Sequence, residues 1–593
     1  MIKTNLLIAI LFSVQYIFGQ QLTILHTNDL HSKITGTGPE FEYSPLIVNN
    51  DNTVGGFARL ATIFKQQKEN FPESTLILDA GDFLMGSLFH AAEEETGFQT
   101  SLMHKMGYDF ITLGNHEFDF GPEILANIIN TARENGEIPQ ILASNLVFSK
   151  NSKEDDQLQQ LFSDGIMQPY SIIVKNGLKI GLFGIMGEDA ASVSPASKPV
   201  TFSNPVKEAR KMAQYLKEKE KADIVILLSH CGLNYEPVNN LPSGEDIGLA
   251  KKVPEIDIII GGHSHTATPK FIKTGNTFIV QTGSYGTNAG KIRLNFSGGK
   301  ITDFGFELIP VNDKVEGDSE VQSQIEELIN HLDNEILAET GLKFKQIVGT
   351  TGFDLTMDFP DLKNSNLGPF VADASLFYMK HTGNEVDFSI VATGIIRANL
   401  LSGEMGKITV PDIFNVMSLG KGADEIPGYP LAKIYITGHE VKKLMEALII
   451  SREKGGDGFI YFSGIKTWID SNKGFLKKVQ KIEINGTEID LSKKNNTLYS
   501  FSANTYLASF IGRIKKMTFG LVKVVPKNAF GIAETDIGNQ VADVNPDKEG
   551  IQEAKEWIAI TEFLKSFEKN GEGYPAIPAS YKNCQDSVID LAR

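Results

Sequence analysis

The sequence predicts an α/β protein built from two regions with a helix between them. Three observations carry this. Short apolar runs bounded by Gly, Asn and Asp alternate with helical patterns from residue 21 to about 310. A polar, amphipathic segment, residues 317–340, follows. A second α/β-like stretch then runs from about 345 to 535. The chain of 593 residues is 41% apolar and 22% charged, which is ordinary globular composition and excludes disordered, collagen-like and coiled-coil readings. At about 150 residues per domain the length allows several domains. A net charge of −17 makes general nucleic-acid binding a poor reading, because phosphate backbones are captured by basic surfaces.

The first twenty residues, MIKTNLLIAILFSVQYIFGQ, read as a secretory signal. Lys3 supplies the positive start, Leu6 to Phe18 the apolar run, and Gly19 a small residue for cleavage. No later segment has about 18 consecutive apolar residues, so no membrane span is expected once the signal is removed, and the mature protein is expected to be exported, periplasmic or secreted. Leu22–Thr27, Thr75–Leu78, Phe110–Leu113, Ile224–Leu228 and Ile256–Ile260 read as strands. Ala58–Asn70, Pro122–Asn135 and Val206–Lys221 read as the helices between them. A last helix is expected at about Lys555–Phe567. Gly455-Gly456-Asp457-Gly458 reads as a turn before a strand at Phe459–Phe462, since no strand–loop–helix with a following Lys-Ser/Thr surrounds it. Two cysteines, Cys231 and Cys584, exclude a disulfide scaffold and a thiolate cluster; paired and free states are both open.

Each of the five strands ends in a polar cluster: Asn28-Asp29-Leu30-His31, Asp79-Ala80-Gly81-Asp82, Gly114-Asn115-His116-Glu117, Ser229-His230 and Gly261-Gly262-His263-Ser264-His265. Ligands of open α/β sheets collect outside the carboxyl ends of strands, so the five ends can converge on one site. Five of the 11 histidines lie in these clusters. Imidazoles and carboxylates without cysteine suit Zn, Mn, Fe or Co. In Asp29-x-His31 and His263-x-His265, extended backbone would point both side chains the same way.

With Gly55-Gly56 and Gly114-Asn115-His116-Glu117-Phe118-Asp119, these motifs resemble the calcineurin-like metallophosphoesterases, and more closely the exported 5′-nucleotidase / UDP-sugar hydrolase family. The resemblance implies a four-layer α-β-β-α catalytic domain at 21–315 after the signal at 1–20. It implies a linker helix at 316–344, a C-terminal α/β substrate-binding domain at 345–570, and a tail at 571–593. It also implies two divalent ions. One would take Asp29, His31 and His265, the other Asn115, His230 and His263, with Asp82 bridging. Such a pair can hold a bridging hydroxide at neutral pH and clamp phosphoryl oxygens during in-line displacement. His116 is expected to stabilise the transition state or protonate the leaving group, with Asp119 fixing its tautomer.

In the second domain the resemblance rests on Asn366-Leu367-Gly368, Ala372-Asp373-Ala374, Gly394-Ile395-Ile396-Arg397, Gly406-Lys407-Ile408-Thr409 and Ser502-Ala503-Asn504-Thr505-Tyr506. Arg397, Tyr506 and Asn366 are the expected substrate contacts. Three positions depart from the family pattern: Ala392 replaces an asparagine, Leu419 a stacking ring, and Gly512 the acid that holds ribose hydroxyls. The implied activity is phosphate release from a small phosphorylated substrate, a nucleotide by resemblance. The alternatives are a phosphatase or phosphodiesterase for a non-nucleoside metabolite, a sulfur-ester hydrolase, and a binding protein on an inactive scaffold.

Overall fold

The computed structural model describes residues 20–236, 238–358, 361–511, 522–534 and 536–592. The expected signal, Gln20 apart, and Gly512 lie outside the described residues.

The N-terminal half is built on two sheets that face each other. The seven-stranded sheet has Gln20–Thr27, Thr75–Asp79, Phe110–Thr112 and Gln140–Leu142 running parallel, with the antiparallel strands Asn288–Ser297 and Lys300–Pro310 on one edge. The six-stranded sheet is centred on Leu178–Met186, Ile224–His230, Ile258–Gly261 and Thr277–Val280, also parallel. Leu22, Ile24, Leu76 and Leu78 from the first sheet meet Leu182, Ile226, Leu228, Ile258 and Ile260 from the second in a buried layer between them. A strand covered on both faces needs apolar residues at successive positions, which is why these strands read as runs rather than alternations.

Helices cover the outer faces. Phe57–Asn70, Phe98–Met106 and Gly121–Asn135 lie on the first sheet, and Pro205–Glu218 and Glu245–Lys252 on the second. This is the four-layer α-β-β-α arrangement. Pro205–Glu218 shows why these segments become helices. The Asn204 side chain accepts the Lys207 N–H at 3.0 Å, Pro205 occupies the first turn, and Ala209, Met212, Ala213 and Leu216 form one buried stripe.

Helix Ser319–His331 begins with the Asp318 carboxylate accepting the Glu320 and Val321 N–H groups and continues into a wider turn at Leu332–Ile336. It is more than a spacer: Val321, Ile325, Leu328 and Ile329 belong to the same apolar cluster as the helices on the first sheet.

The C-terminal half has a four-stranded sheet ordered Leu431–Thr437, Leu498–Asn504, Phe388–Ala392, Ile460–Ser463, packed against helices Leu367–His381 and Gly438–Lys454. Gly456–Gly458 is a single tight turn before strand Ile460–Ser463. The expected tail contributes a strand, Val588–Asp590, parallel to Ile465–Ile469. Cys231 and Cys584 are free thiols. The halves share an apolar cluster, with Phe89 against Phe344, and also meet through polar contacts. Lys33 Nζ donates to Asn415 Oδ1 at 2.7 Å, and Glu42 Oε1 accepts the Glu404 and Met405 N–H groups at 2.6 and 2.8 Å.

Candidate metal centre and active site

Parallel pairing brings the strand ends level: Thr27 opposite Asp79, Asp79 opposite Ile111, and Ser229 opposite Gly261. The polar clusters that follow fold over these ends and meet. The expected route for the spaced pairs is corrected here. Asp29 and His31 are not on extended chain, since the strand stops at Thr27. Asp29, His31, Asp82, His263 and His265 all have left-handed backbone, with φ between 49° and 75°. Tight turns, rather than strand alternation, aim these side chains. Asp and His tolerate that region better than most residues. Surrounding hydrogen bonds hold them there: His31 N–H donates to Asp82 O at 2.9 Å, and His263 N–H to Asp29 Oδ1 at 3.0 Å.

The donor atoms form two groups that share Asp82. In the first, His31 Nε2 and His265 Nε2 are 2.9 Å apart and His265 Nε2 is 3.7 Å from Asp29 Oδ1. In the second, Asn115 Oδ1 is 3.3 Å from His230 Nε2 and 3.0 Å from His263 Nδ1. Asp82 Oδ2 lies between them, 3.9 Å from His31 Nε2 and 3.1 Å from His230 Nε2. His31 and His230 each turn Nδ1 to a backbone carbonyl, Met85 O at 3.1 Å and Ala80 O at 2.9 Å. For His31, a hydrogen on Nδ1 leaves Nε2 with a lone pair turned toward the centre. Carboxylate, amide and imidazole atoms converging at mostly buried positions call for positive charge between them. This donor set therefore fits divalent ions.

The electrostatics agree. Burial, aided by the neighbouring His265, holds His31 well below the usual imidazole range, and burial takes His265 down to about 3. Both are neutral, the form that binds metals. Burial, reinforced by Asp82, pushes Asp29 up to about 7 against the pull of His230. Unlike His31 and His265, His230 rises, to about 10, because the carboxylates of Asp82 and Asp29 outweigh burial; there a proton supplies the positive charge that a cation would replace. Asp82 falls well below the carboxylate range because His230 and His116 outweigh its burial.

His116 sits beside this centre. Its N–H donates to Asp82 Oδ1 at 2.8 Å and its Nδ1 lies 2.6 Å from Asp119 Oδ2, leaving Nε2 as the nitrogen open to chemistry. Burial works to lower its pKa, and the carboxylates of Asp119 and Asp82 together outweigh it and raise the value. His31, Asp82 and His116 also come close enough to form a third donor group, so the structure places His116 nearer to metal-ligand geometry than its expected role requires.

Three supporting residues carried no usable sequence signal. The Glu117 carboxylate accepts the N–H groups of Asp82, Leu84 and Gly114 at 3.0, 2.9 and 2.5 Å, and so shapes two loops at once. Asp189 Oδ2 is 3.2 Å from His263 Nε2, the nitrogen facing away from Asn115. Tyr429, in a loop between Gly428 and Pro430, stacks on Tyr506. Gly114 is required as glycine, because a Cβ there would collide with the Asp82 carboxylate.

A cavity of about 850 Å³ opens over the centre and extends into the C-terminal half. Arg397 and Tyr506 line it. Asn366 does not: its amide accepts Thr356 N–H at 2.7 Å and donates to Asp354 O at 2.9 Å, at the start of helix Leu367–His381. Leu419 and Ala392 line the cavity where a ring and an amide were expected.

A four-layer α/β domain with a buried His/Asp/Asn donor set at its strand ends defines a hydrolase of the metallophosphoesterase class. Comparison with known proteins narrows the class. Residues 22–267 match the calcineurin-like phosphoesterase family and residues 346–518 the 5′-nucleotidase C-terminal domain. The chain belongs to the family that joins these two domains, whose members are hydrolases acting on phosphoric ester bonds. It is 27% identical over 515 residues to a trifunctional nucleotide phosphoesterase of Bacillus subtilis, covering 82% of this chain and 32% of that protein, so the chain spans about a third of that relative's length. It is 26% identical to a Bos taurus 5′-nucleotidase, with 78% of each covered. In fold it is similar to a 5′-nucleotidase precursor from Thermus thermophilus, with a TM-score of 0.69 at 21% identity, covering 97% of this chain and all of that one. No helix among the described residues is long and apolar enough to cross a membrane.

Proposed function

We propose that this protein is an exported phosphohydrolase that works with two divalent ions, one held by Asp29, His31 and His265, the other by Asn115, His230 and His263, with Asp82 shared. The unit at 21–315 carries the metal centre, and the unit at 345–570 supplies the facing wall of the substrate cavity. The carrying observation is the position of Asp82 Oδ2, with His31 Nε2 and His230 Nε2 on either side. Bound there, such ions would acidify a water and neutralise phosphoryl charge. Zn, Mn, Fe and Co all suit the donors.

The chain's own residues do the rest. Asp119 holds the His116 ring with Nδ1 engaged, so that Nε2 is positioned to protonate the leaving oxygen. Arg397, on the cavity wall, pairs with phosphate oxygens through its planar guanidinium. The buried floor keeps bulk water from screening these charges.

The substrate is a phosphate ester. Nucleotides are the reading that the relatives' names support. A non-nucleoside ester is favoured by one specific observation, the Tyr429–Tyr506 stack. The test is metal content by mass spectrometry together with phosphate release, for the wild type and Asp82→Ala. Loss of metal and activity in the variant is expected; full retention of both overturns the proposal.

A further inference from the structure

We infer that the ester this enzyme cleaves carries an apolar leaving group, an alkyl or aryl alcohol, rather than a nucleoside. The inference rests on the phosphohydrolase reading above and names the substrate class of the same site.

The cavity is continuous from Asp82, Asn115 and His263 to its far wall in the C-terminal half. Three elements make that wall. Strand Phe388–Ala392 contributes Ile390 and Ala392. Helix Gly438–Lys454 contributes Leu444, Ala447 and Leu448, whose i, i+3, i+4 spacing lays one stripe of hydrocarbon along the cavity. The segment after strand Leu498–Asn504 adds Leu507, Phe510 and Ile511. A phosphate seated at the metal centre would direct its ester substituent along this surface.

The aromatic side chains leave no slot for a base. Tyr429 and Tyr506 lie with ring centroids 5.4 Å apart and planes 22° from parallel. Two rings that grip a third between them need roughly 7 Å, twice a van der Waals layer. Phe510 closes on Tyr506 at 5.0 Å and 62°. The Tyr506 ring is thus packed by the protein's own side chains.

The wall is also poor in partners for ribose. Among the described residues of the C-terminal wall, Ser451 spends its hydroxyl on Gly458 O at 2.7 Å, Asp457 is exposed, and the remaining hydroxyls belong to the stacked Tyr429 and Tyr506. Arg397 sits within electrostatic reach of His31, His116 and His265, at the phosphate end. A nucleoside entering here would exchange water for hydrocarbon at its hydroxyls and base edge, and those lost hydrogen bonds count against it. An alkyl or aryl group loses nothing polar and buries apolar surface.

The overall step balances simply. Water oxygen bonds to phosphorus, the bond from phosphorus to the leaving oxygen breaks, that oxygen takes a proton from His116, and the proton released by the attacking water restores His116, giving a free alcohol and inorganic phosphate.

The experiment uses the full chain loaded with Mn or Zn and measures kcat/KM for n-alkyl phosphates from methyl to octyl, 1-naphthyl phosphate, AMP and glycerol 3-phosphate. The expected result is a rise toward roughly fourfold per added methylene over the first several, with 1-naphthyl phosphate at least about tenfold above AMP. A flat chain-length series, or AMP above the apolar esters, overturns the inference. Leu448→Asn should lower the octyl-to-methyl ratio about tenfold while Leu448→Met preserves it; a ratio unchanged in Leu448→Asn also overturns it. If no ester is hydrolysed, the phosphohydrolase reading fails by itself. The preference is then read from calorimetric binding of octylphosphonate against AMP, where tighter octylphosphonate binding supports the inference and tighter AMP binding overturns it.

Discussion

The backbone N–H of His116 donates to Asp82 Oδ1 at 2.8 Å, while the other oxygen of the same carboxylate faces His31 and His230. One side chain therefore both faces the two donor groups and fixes the residue beside them. Asp82→Ala is predicted to lower kcat/KM by more than the roughly 10–100-fold typical of changes just outside a metal's ligands. It should also release metal, read by mass spectrometry of the purified variant.

His116→Ala separates the two duties. Metal content should stay at the wild-type level, while phosphate release falls about 100- to 10,000-fold, the range for a lost general acid or base. Asp119→Asn should give a smaller loss in kcat, because the ring remains but its Nδ1 loses a carboxylate 2.6 Å away. A His116→Ala protein depleted of metal would instead make His116 a ligand.

Removing the proposed ions should destabilise the fold, because the carboxylates and imidazoles they would bridge are left facing one another. Protein stripped by a chelator is expected to melt lower and to lose activity. Adding Mn or Zn should restore both, with about 2.7 kcal/mol of stabilisation at a hundred times the dissociation constant. Scanning calorimetry across a metal titration checks this.

Glu117 is buried and accepts three backbone N–H groups from the loops that carry Asp82 and Gly114. Glu117→Ala strands those donors and is predicted to cost about 3 kcal/mol or more in urea unfolding. Glu117→Gln keeps one acceptor oxygen and should cost less. A variant as stable as wild type would show that water replaces the carboxylate.

Glu556 gives a pH dependence remote from the metals. It is fully buried; Oε2 accepts Asn504 Nδ2 at 2.9 Å and Oε1 has no hydrogen-bond partner among the described residues. Burial outweighs that hydrogen bond and raises the carboxyl from 4.5 to about 8. The folded state therefore binds the proton more tightly than the unfolded chain. Its contribution is fully present below the unfolded value and is lost as pH rises toward the folded one. The melting temperature should fall between about pH 5 and pH 8, and Glu556→Gln should flatten that fall, as thermal melts in matched buffers would show.

Much of this was legible in the sequence, for physical reasons. Strands buried on both faces announce themselves as apolar runs, and the polar residues that end them can only lie at the sheet's carboxyl edge. The five clusters that carry Asp29, His31, Asp82, Asn115, His230, His263 and His265 could thus be grouped before any coordinates, while the choice of these seven within them came from the family resemblance. The turns that aim them could not, because left-handed backbone at Asp and His leaves no periodic trace. Glu117 was hidden inside a motif already assigned to its neighbours. Tyr429 lies in a loop between glycine and proline, where no period marks which way a ring faces, so its stack on Tyr506 became visible only in three dimensions. Asn366 shows the converse: a motif match whose amide is wholly used by local backbone.

The left-handed turns at five donor positions also restrict what can replace them. Short Asp, Asn and His side chains are the ones that both coordinate and accept that stereochemistry, so two independent demands select the same small alphabet. A β-branched residue would be strained there even where its chemistry suited a cation. Attempts to retune this centre for a different ion should therefore begin at Asn115, outside the left-handed set, where the chain accommodates new donors without being rebuilt.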